Sequence, residues 1–310
     1  MTTTPCVLAL DVGGTFMKGA VVGREGVIRH EMRAPTPQRV SVGQGLDEIA
    51  GQLRSMLELA RDLQLEVVGV CVAVPGIVDE ASGTIRYAAS LGWPEVPVSQ
   101  ELSSRLDRQV LIAHDVRAGG LAESRVGASV GVRDSLFVAV GTGISAALVV
   151  DGSPVSAGGM AGEIGHVTVP DQATTCVCGR HGCLESVASA SAIARAYGDL
   201  SGTEVAGAVE VADRVRAGDP TAAAVWERAT DALGAVLASC AAVLGSQVVV
   251  VGGGLSRAGP LLVEPLTRRL IDRMGAAPAP RVVSAVLGDA AGCLGAAMLA
   301  WRSTDARTHA

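Results

Sequence analysis

Aromatic residues make up only 2 % of this 310-residue chain: three Trp, two Tyr and two Phe. A core of packed rings is thereby excluded. Hydrophobic residues nevertheless reach 49 %, so the interior must be built from Val, Leu, Ile and Ala. That is the usual content of buried parallel strands flanked by Ala-rich helices. Basic charge is also short, with 25 Lys plus Arg against 31 Asp plus Glu and a formal net charge of −6. A chain that grips nucleic acid by its phosphates carries a basic footprint. None is visible here, and nucleic acid is not an expected partner. Long apolar runs with membrane-type flanks are missing too; residues 232–244 are apolar but short and Ala-rich, and read as a core helix. The opening MTTTPCVLALDVGG lacks a basic segment followed by a long apolar one, so no signal peptide is expected and the cytoplasm is the default compartment. Thiols stay reduced there, and clustered cysteines then point to metal, not disulfides. The 39 glycines fall in short runs without a period, which excludes collagen-like and low-complexity chains.

What is present reads as two α/β halves, each opening on a strand, a glycine turn and a hairpin. VLALDVGGT and KGAVVG are the first pair, with a third strand near Val27–Arg33. Residues 46–63 place Leu46, Ile49, Leu53, Met56, Leu57, Ala60 and Leu63 on one helical face. VVGVCVAVPG is a buried strand stopped by Pro75-Gly76. SQELSSRLD is a short helix, and QVLIAHD a strand ending in Asp115. SLFVAVGTG and ISAALVVDG open the second half. A helix from about Leu184 to Tyr197 and a long one over residues 219–244, capped by Asp219-Pro220, follow. SQVVVVGGG is a strand; a helix at about 259–273, a strand RVVSAVL and a helix at 289–301 complete the chain, with a polar, frayed tail. The expected domains are residues 1–116 and 117–288, with the helix 289–301 returning to the first.

DVGGTFMK, from Asp11 to Lys18, suits a polyphosphate. Its glycines carry no Cβ, so backbone amides can approach an anion, and Thr15 adds a donor. Asp11 can hold Mg²⁺ through water, and Lys18 supplies positive charge. Gly141-Thr142-Gly143 repeats the design, and Gly252-Gly253-Gly254 closes a third strand before a helix. None of these matches the Walker A or G-x-G-x-x-G spacing, so neither a P-loop nor a Rossmann fold is favoured. An ordinary hairpin turn is the plainer alternative for any one of them.

The segment CVCGRHGCLE carries three of the seven cysteines. Cys176, Cys178 and Cys183 with His166 give H-x9-C-x-C-x4-C, a donor set for tetrahedral Zn²⁺. Four protein ligands leave no open position, so such a zinc would be structural. His181, inside the loop, is the competing fourth ligand. Cys6, Cys71, Cys240 and Cys293 lie in strands or helices and read as core. Glu163 and Glu185 flank the metal set and would be pinned beside it, as acceptors suited to sugar hydroxyls. Asp115 at a strand end has the position and type of a general base.

ALDVGGTFMKGAVV, VAVPGIVD, GTGISAALVVDG, GEIGHVTV, CVCGRHGCLE and VVGGGLS, in that order, resemble the ROK family of repressors, open reading frames and sugar kinases. The resemblance implies an α/β, actin-like (ribonuclease-H-like) fold of two domains around a cleft. It implies ATP, Mg²⁺, a structural zinc and a homodimer. By the same resemblance, Asp115 matches the base that takes the proton of the sugar 6-hydroxyl. Glu163, His166 and Glu185 match residues near O1 and O2, and Gly76 the backbone that lets the sugar approach. Asp11, Gly13, Gly14, Thr15 and Lys18 match the first phosphate motif, Gly141, Thr142 and Gly143 the second, and Gly252, Gly253 and Gly254 the adenosine motif.

Two positions depart from the family pattern. His114 stands where Asn usually precedes the base, and Arg117 where another Asn follows. A histidine can still donate and accept one hydrogen bond each, so His114 is expected to bind substrate, with altered sugar recognition. A ROK repressor would need a winged helix-turn-helix before Asp11, for which there is no room. A non-catalytic sugar sensor would be expected to lose Asp11 or Asp115. The expected function is an ATP-dependent kinase for the 6-hydroxyl of glucose or N-acetylglucosamine. N-acetylmannosamine, mannose and a polyphosphate donor remain alternatives.

Overall fold

The computed structural model describes residues 4–308 other than Arg39 and Asp171. The chain forms two compact units. The first takes residues up to Ala122, Ser156–Ala161 and the segment from Ala290 onward; the second takes Glu123–Val155 and Gly162–Asp289.

In the first unit, β1 (Thr4–Val12), β2 (Phe16–Gly23), β3 (Ile28–Pro35), β4 (Leu65–Val74) and β7 (Leu111–His114) form one sheet in the order β3-β2-β1-β4-β7. β1 pairs antiparallel with β2 and parallel with β4. A small hairpin, β5 (Ile77–Asp79) with β6 (Thr84–Tyr87), interrupts the crossover. The pleat sends alternate residues of β1 to opposite faces. Leu8, Leu10 and Val12 join the core under α1 (Val42–Asp62) and α2 (Val98–Leu106). Val7 and Ala9 meet Ala296, Ala297 and Ala300 of the last helix, α9 (Ala291–Thr308). Small residues there let the helix approach closely: a Cβ on Gly295 would stand 1.9 Å from the Ala118 carbonyl oxygen.

The second unit repeats the plan. β8 (Ser135–Val140), β9 (Ile144–Val150), β10 (Ser153–Pro154), β11 (Val248–Gly252) and β12 (Arg281–Ser284) lie in the order β10-β9-β8-β11-β12. Val138, Val140, Val249 and Val251 face one core together with Val225, Trp226, Leu233 and Leu237 of α7 (Pro220–Leu244) and Leu262, Leu266 and Leu270 of α8 (Pro260–Met274). α4 (Glu185–Ala188), α5 (Ala190–Ser201) and α6 (Ala208–Arg216) complete it. Asp219 caps α7, its carboxylate accepting from Thr221 and Ala222 amides, with Pro220 in the first turn. The duplicated plan, a glycine turn after the first strand of each sheet, agrees with the sequence reading.

Four readings need correction. Asp115 does not end β7; it opens α3 (Asp115–Val126), a helix that Gly119-Gly120 hides from sequence. The helix expected over 184–197 is broken at Ser189, whose extended backbone and hydroxyl restart it by accepting from the Ala192 amide. The polar tail is not frayed: α9 runs to Thr308, and Asp305 pairs with Arg24 at 2.7 Å. Leu63 lies at the C-cap of α1 and is 46 % exposed, while Leu59 joins the core margin instead. No helix among the described residues is long and apolar enough to cross a membrane.

Candidate active site

In the first unit, the turn after β1 is fastened by its carbonyls. Gly13 N–H donates to the Phe16 carbonyl at 3.0 Å. The Gly13 carbonyl accepts from the Thr36 hydroxyl, that of Gly14 from the Gln38 side chain, and that of Thr15 from the Thr36 amide. With those oxygens held on one side, the amides of Gly14 and Thr15 are left for an anion. A Cβ on Gly14 would meet nothing within 4 Å, so the approach is open. Asp11 and Lys18, the chain's one lysine, sit directly opposite each other on β1 and β2. The Asp11 carboxylate lies against Gly292 in the first turn of α9, where a Cβ would be 2.8 Å from Oδ2.

At the same carboxyl edge of the sheet, two strands along, β7 delivers His114 and α3 begins with Asp115. Asp115 is half-buried, and its Oδ1 accepts from the Val116 amide at 2.7 Å. His114 is buried, 2 % exposed. Its Nδ1 accepts from the Arg117 amide at 3.2 Å. A ring nitrogen that accepts carries no proton, so the neutral imidazole holds its proton on Nε2, 3.5 Å from Asp115 Oδ1. Burial first, and then the Arg117 charge, push His114 down to about 3 from its ordinary 6.5. Between those values the unfolded chain binds a proton that the folded chain refuses, so stability falls as pH drops from 6.5 toward about 3. The slope is about 1.4 kcal/mol per pH unit. His114→Asn is expected to flatten this part of the Tm-against-pH curve relative to the parent; parallel curves would refute it.

Arg117 is buried like a core residue. Its guanidinium donates to the carbonyls of Val78 at 2.8 Å and of Gly159 and Ala161 at 3.3 Å each, and to Glu80 Oε1 at 3.1 Å. It therefore ties β5 and the 156–161 segment to α3, and offers nothing to a ligand. The sequence reading missed Glu80. Its Oε1 also accepts from the His114 amide at 2.9 Å. The available trace was an acid directly after VPGIVD; its partners lie 34 and 37 residues away and leave no local pattern. Gly76, at φ +106°, abuts the β6 end: a Cβ would stand 2.4 Å from the Tyr87 carbonyl.

In the second unit, the GEIGH segment is seated on β9 by its glycines. A Cβ on Gly165 would stand 2.2 Å from the Ile144 carbonyl, and Gly162 has the same constraint at Ala146. That close seat fixes a short 3-10 turn, Ile164–His166, beside Glu163. His166, Cys176, Cys178 and Cys183 bring four donor atoms within 4.8 Å of one another. His166 Nδ1 lies 3.7 Å from Cys176 Sγ, and Cys178 Sγ 3.6 Å from Cys183 Sγ. Zinc–sulfur bonds of about 2.3 Å in tetrahedral geometry put sulfurs roughly 3.8 Å apart, so the set fits one such ion. His181 is turned away, its Nδ1 within 3.3 Å of the Thr175 hydroxyl and the Ala173 carbonyl. His166 thus directs Nδ1 to the thiols and Nε2 toward Glu163, 4.0 Å from Oε2. The Arg180 amide and guanidinium lower the Cys178 thiol to about 6, easing thiolate formation.

Glu185 opens α4 and does more than follow the cysteines. Its Oε2 accepts from the Ile144 amide at 2.9 Å and would stand 2.5 Å from a Cβ on Gly143. It thereby links the Cys/His loop to the Gly141–Gly143 turn, which closes through Gly141 N–H to the Gly143 carbonyl at 2.9 Å. Gly253 backs the same turn: at φ +77° a Cβ would be 2.5 Å from the Val140 carbonyl. Gly252 packs on the Phe137 ring, and Gly254 opens the 3-10 turn Gly254–Ala258.

Comparison with known proteins places this arrangement. The ROK family profile matches residues 7–303. The glucokinase of Halalkalibacterium halodurans is 31 % identical over 313 residues, covering 94 % of each chain. The kanosamine kinase of Amycolatopsis mediterranei is 34 % identical, covering 96 % of each. A solved ROK family glucokinase from Streptomyces griseus, in complex with glucose and AMPPNP, superposes with a TM-score of 0.82 at 26 % identity, covering 96 % of this chain and 99 % of its own. With an actin-like fold built from a twice-used sheet, and with its motifs seated as described, this chain belongs to the ROK family.

Proposed function

We propose that this chain is a sugar kinase that transfers the γ-phosphoryl group of ATP to the 6-hydroxyl of a hexose, glucose or N-acetylglucosamine. The observation that supports the reading is Asp115: at the position the resemblance gives to the base, it stands half-buried as the first residue of α3, with the His114 N–H facing its carboxylate. In this reading Asp115 accepts the 6-hydroxyl proton, O6 bonds to the γ-phosphorus, and the bond to the β-phosphate oxygen breaks to release ADP. Such a transfer asks chiefly for positioning and charge neutralisation. The amides of Gly14 and Thr15 and those of Thr142 and Gly143 receive phosphates, Lys18 adds charge, and Gly252–Gly254 face the adenosine. Asp11 would hold Mg²⁺, which neutralises phosphate charge when bound. Glu163, His166 and Glu185 hold the sugar near O1 and O2, with Gly76 giving it room. His166, Cys176, Cys178 and Cys183 would hold a structural Zn²⁺, leaving His166 Nε2 for a hydroxyl. A homodimer comes with the resemblance. The kanosamine kinase relative favours, as a second reading, an amino-hexose acceptor.

A coupled ADP-release assay over glucose, N-acetylglucosamine, N-acetylmannosamine, mannose and kanosamine, with ATP or polyphosphate as donor, tests this directly. Sugar-dependent release with at least one sugar is expected; none with any would overturn it. The single lysine gives a second check. Mg²⁺·ATP is expected to slow amine-directed acylation of Lys18 at least 5-fold, with the N-terminal amine as internal control. Equal labelling with and without nucleotide would remove Lys18 from the phosphate site.

A further inference from the structure

The Glu80 carboxylate is used asymmetrically. Oε1 accepts twice, from the His114 amide at 2.9 Å and from Arg117 Nε at 3.1 Å. Oε2 accepts from no described residue. The side chain is 26 % exposed, while the Arg117 that holds it is 2 % exposed. A buried cation must be paired, yet three carbonyls and one carboxylate oxygen already serve Arg117. Glu80 Oε2 is thus surplus to the fold. It belongs to a group clamped onto the backbone of the residue just before Asp115, so it is presented at the carboxyl edge of the sheet beside Asp115 with little rotamer freedom left to lose.

Resting on the kinase reading above, we infer that Glu80 is a specificity-determining sugar contact, and that Arg117 is its positioning residue. If the 6-hydroxyl meets Asp115 and the O1–O2 side meets Glu163, His166 and Glu185, the ring substituents still unassigned are those on C3 and C4. A fixed carboxylate oxygen accepts from a hydroxyl there, and more strongly from an ammonium, because charge-assisted hydrogen bonds are the stronger class. Glu80 therefore selects sugars that carry a donor at one of these two carbons.

Glu80→Gln isolates the claim. The amide oxygen can keep both Oε1 bonds, and only the free oxygen is exchanged for a donor. Steady-state kinetics are compared for parent and variant on glucose, 3-deoxyglucose, 4-deoxyglucose and 3-amino-3-deoxyglucose. The variant is expected to raise KM about 10- to 100-fold for glucose, the range for a lost hydrogen bond to a charged group, with kcat within about 3-fold. For whichever deoxy sugar lacks the contacted hydroxyl, parent and variant should differ less than about 3-fold. If that hydroxyl is on C3, the amino sugar should suffer more than glucose. Arg117→Lys should reproduce the same sugar-dependent pattern while keeping a cooperative melt; a merely structural role would raise KM for every sugar alike. An equal factor on glucose and on both deoxy sugars would overturn the assignment. Should the parent bind sugars but transfer nothing, the kinase reading fails by itself, and calorimetric Kd values over the same four sugars decide Glu80. No binding of any of the four would overturn both.

Discussion

Asp115→Asn is expected to lower kcat about 100- to 10,000-fold, the range for losing a positioned general base, while KM for the sugar stays within a few-fold. The substitution keeps the shape of the site. An Asn side-chain oxygen can still accept from the Val116 amide and face the His114 Nε2–H, as Asp115 Oδ1 does now. What it cannot do is take the 6-hydroxyl proton. A loss confined to kcat separates proton transfer from binding. Melting temperature provides the control, since no buried ion pair is broken: Asp115 is half-exposed and its neighbour His114 is neutral. A variant with kcat within 10-fold of the parent would remove Asp115 as the base, whatever the effect on KM.

The strand–turn–hairpin openings were legible because they are local. Val-rich runs such as VLALDV and LFVAV, each followed by glycines, carry strand and turn in one stretch. The convergence of His166, Cys176, Cys178 and Cys183 was legible for the same reason, being written within residues 166–183. The surroundings of Asp115 were legible only in part. α3 escaped because Gly119-Gly120 in its middle reads as a turn, although its first residue is the proposed base. Arg117 stands where the family pattern has Asn, and the sequence alone did not say what it does there. The fold instead buries it and satisfies it with carbonyls from two distant segments. His114 likewise has both ring nitrogens turned to its neighbours, one to Arg117 and one to Asp115. The link from Glu185 to the Gly143 turn spans 41 residues and was equally silent. Side-chain contacts across such distances follow no period of 2 or 3.6, and period is what sequence reading detects.

Stripping the metal with a strong chelator is expected to weaken sugar affinity at least 10-fold while ATP affinity stays within about 3-fold. The reason lies in what else holds each residue. The loop between Val169 and Cys183 has little apolar content facing inward, and Val177 is 87 % exposed. Among the described residues its cross-links are the bridges Thr168 to Cys183 and Thr175 to His181, a few backbone bonds such as Gly182 N–H to the Thr174 carbonyl, and the Arg228 guanidinium on the Gln172 side chain, most of them solvent-exposed. Four donors converging on one point have no other partner strong enough to hold them, so the loop's order is coupled to the ion. His166 is the sugar-side residue most dependent on it, because Nδ1 faces the thiols and fixes where Nε2 points. Glu185 is better protected. Leu184, Val187 and Ala188 around it are buried in the large core, and its bond to the Ile144 amide does not involve the thiols. The Gly141–Gly143 turn should therefore outlast the metal, and nucleotide binding with it. Calorimetry of glucose and of Mg²⁺·ATP before and after chelation, with metal content measured in parallel, provides the comparison. Re-addition of Zn²⁺ should restore the sugar affinity. Protein that never carries metal yet binds sugar, or equal losses for sugar and nucleotide, would show that the thiols do not set the sugar-side geometry.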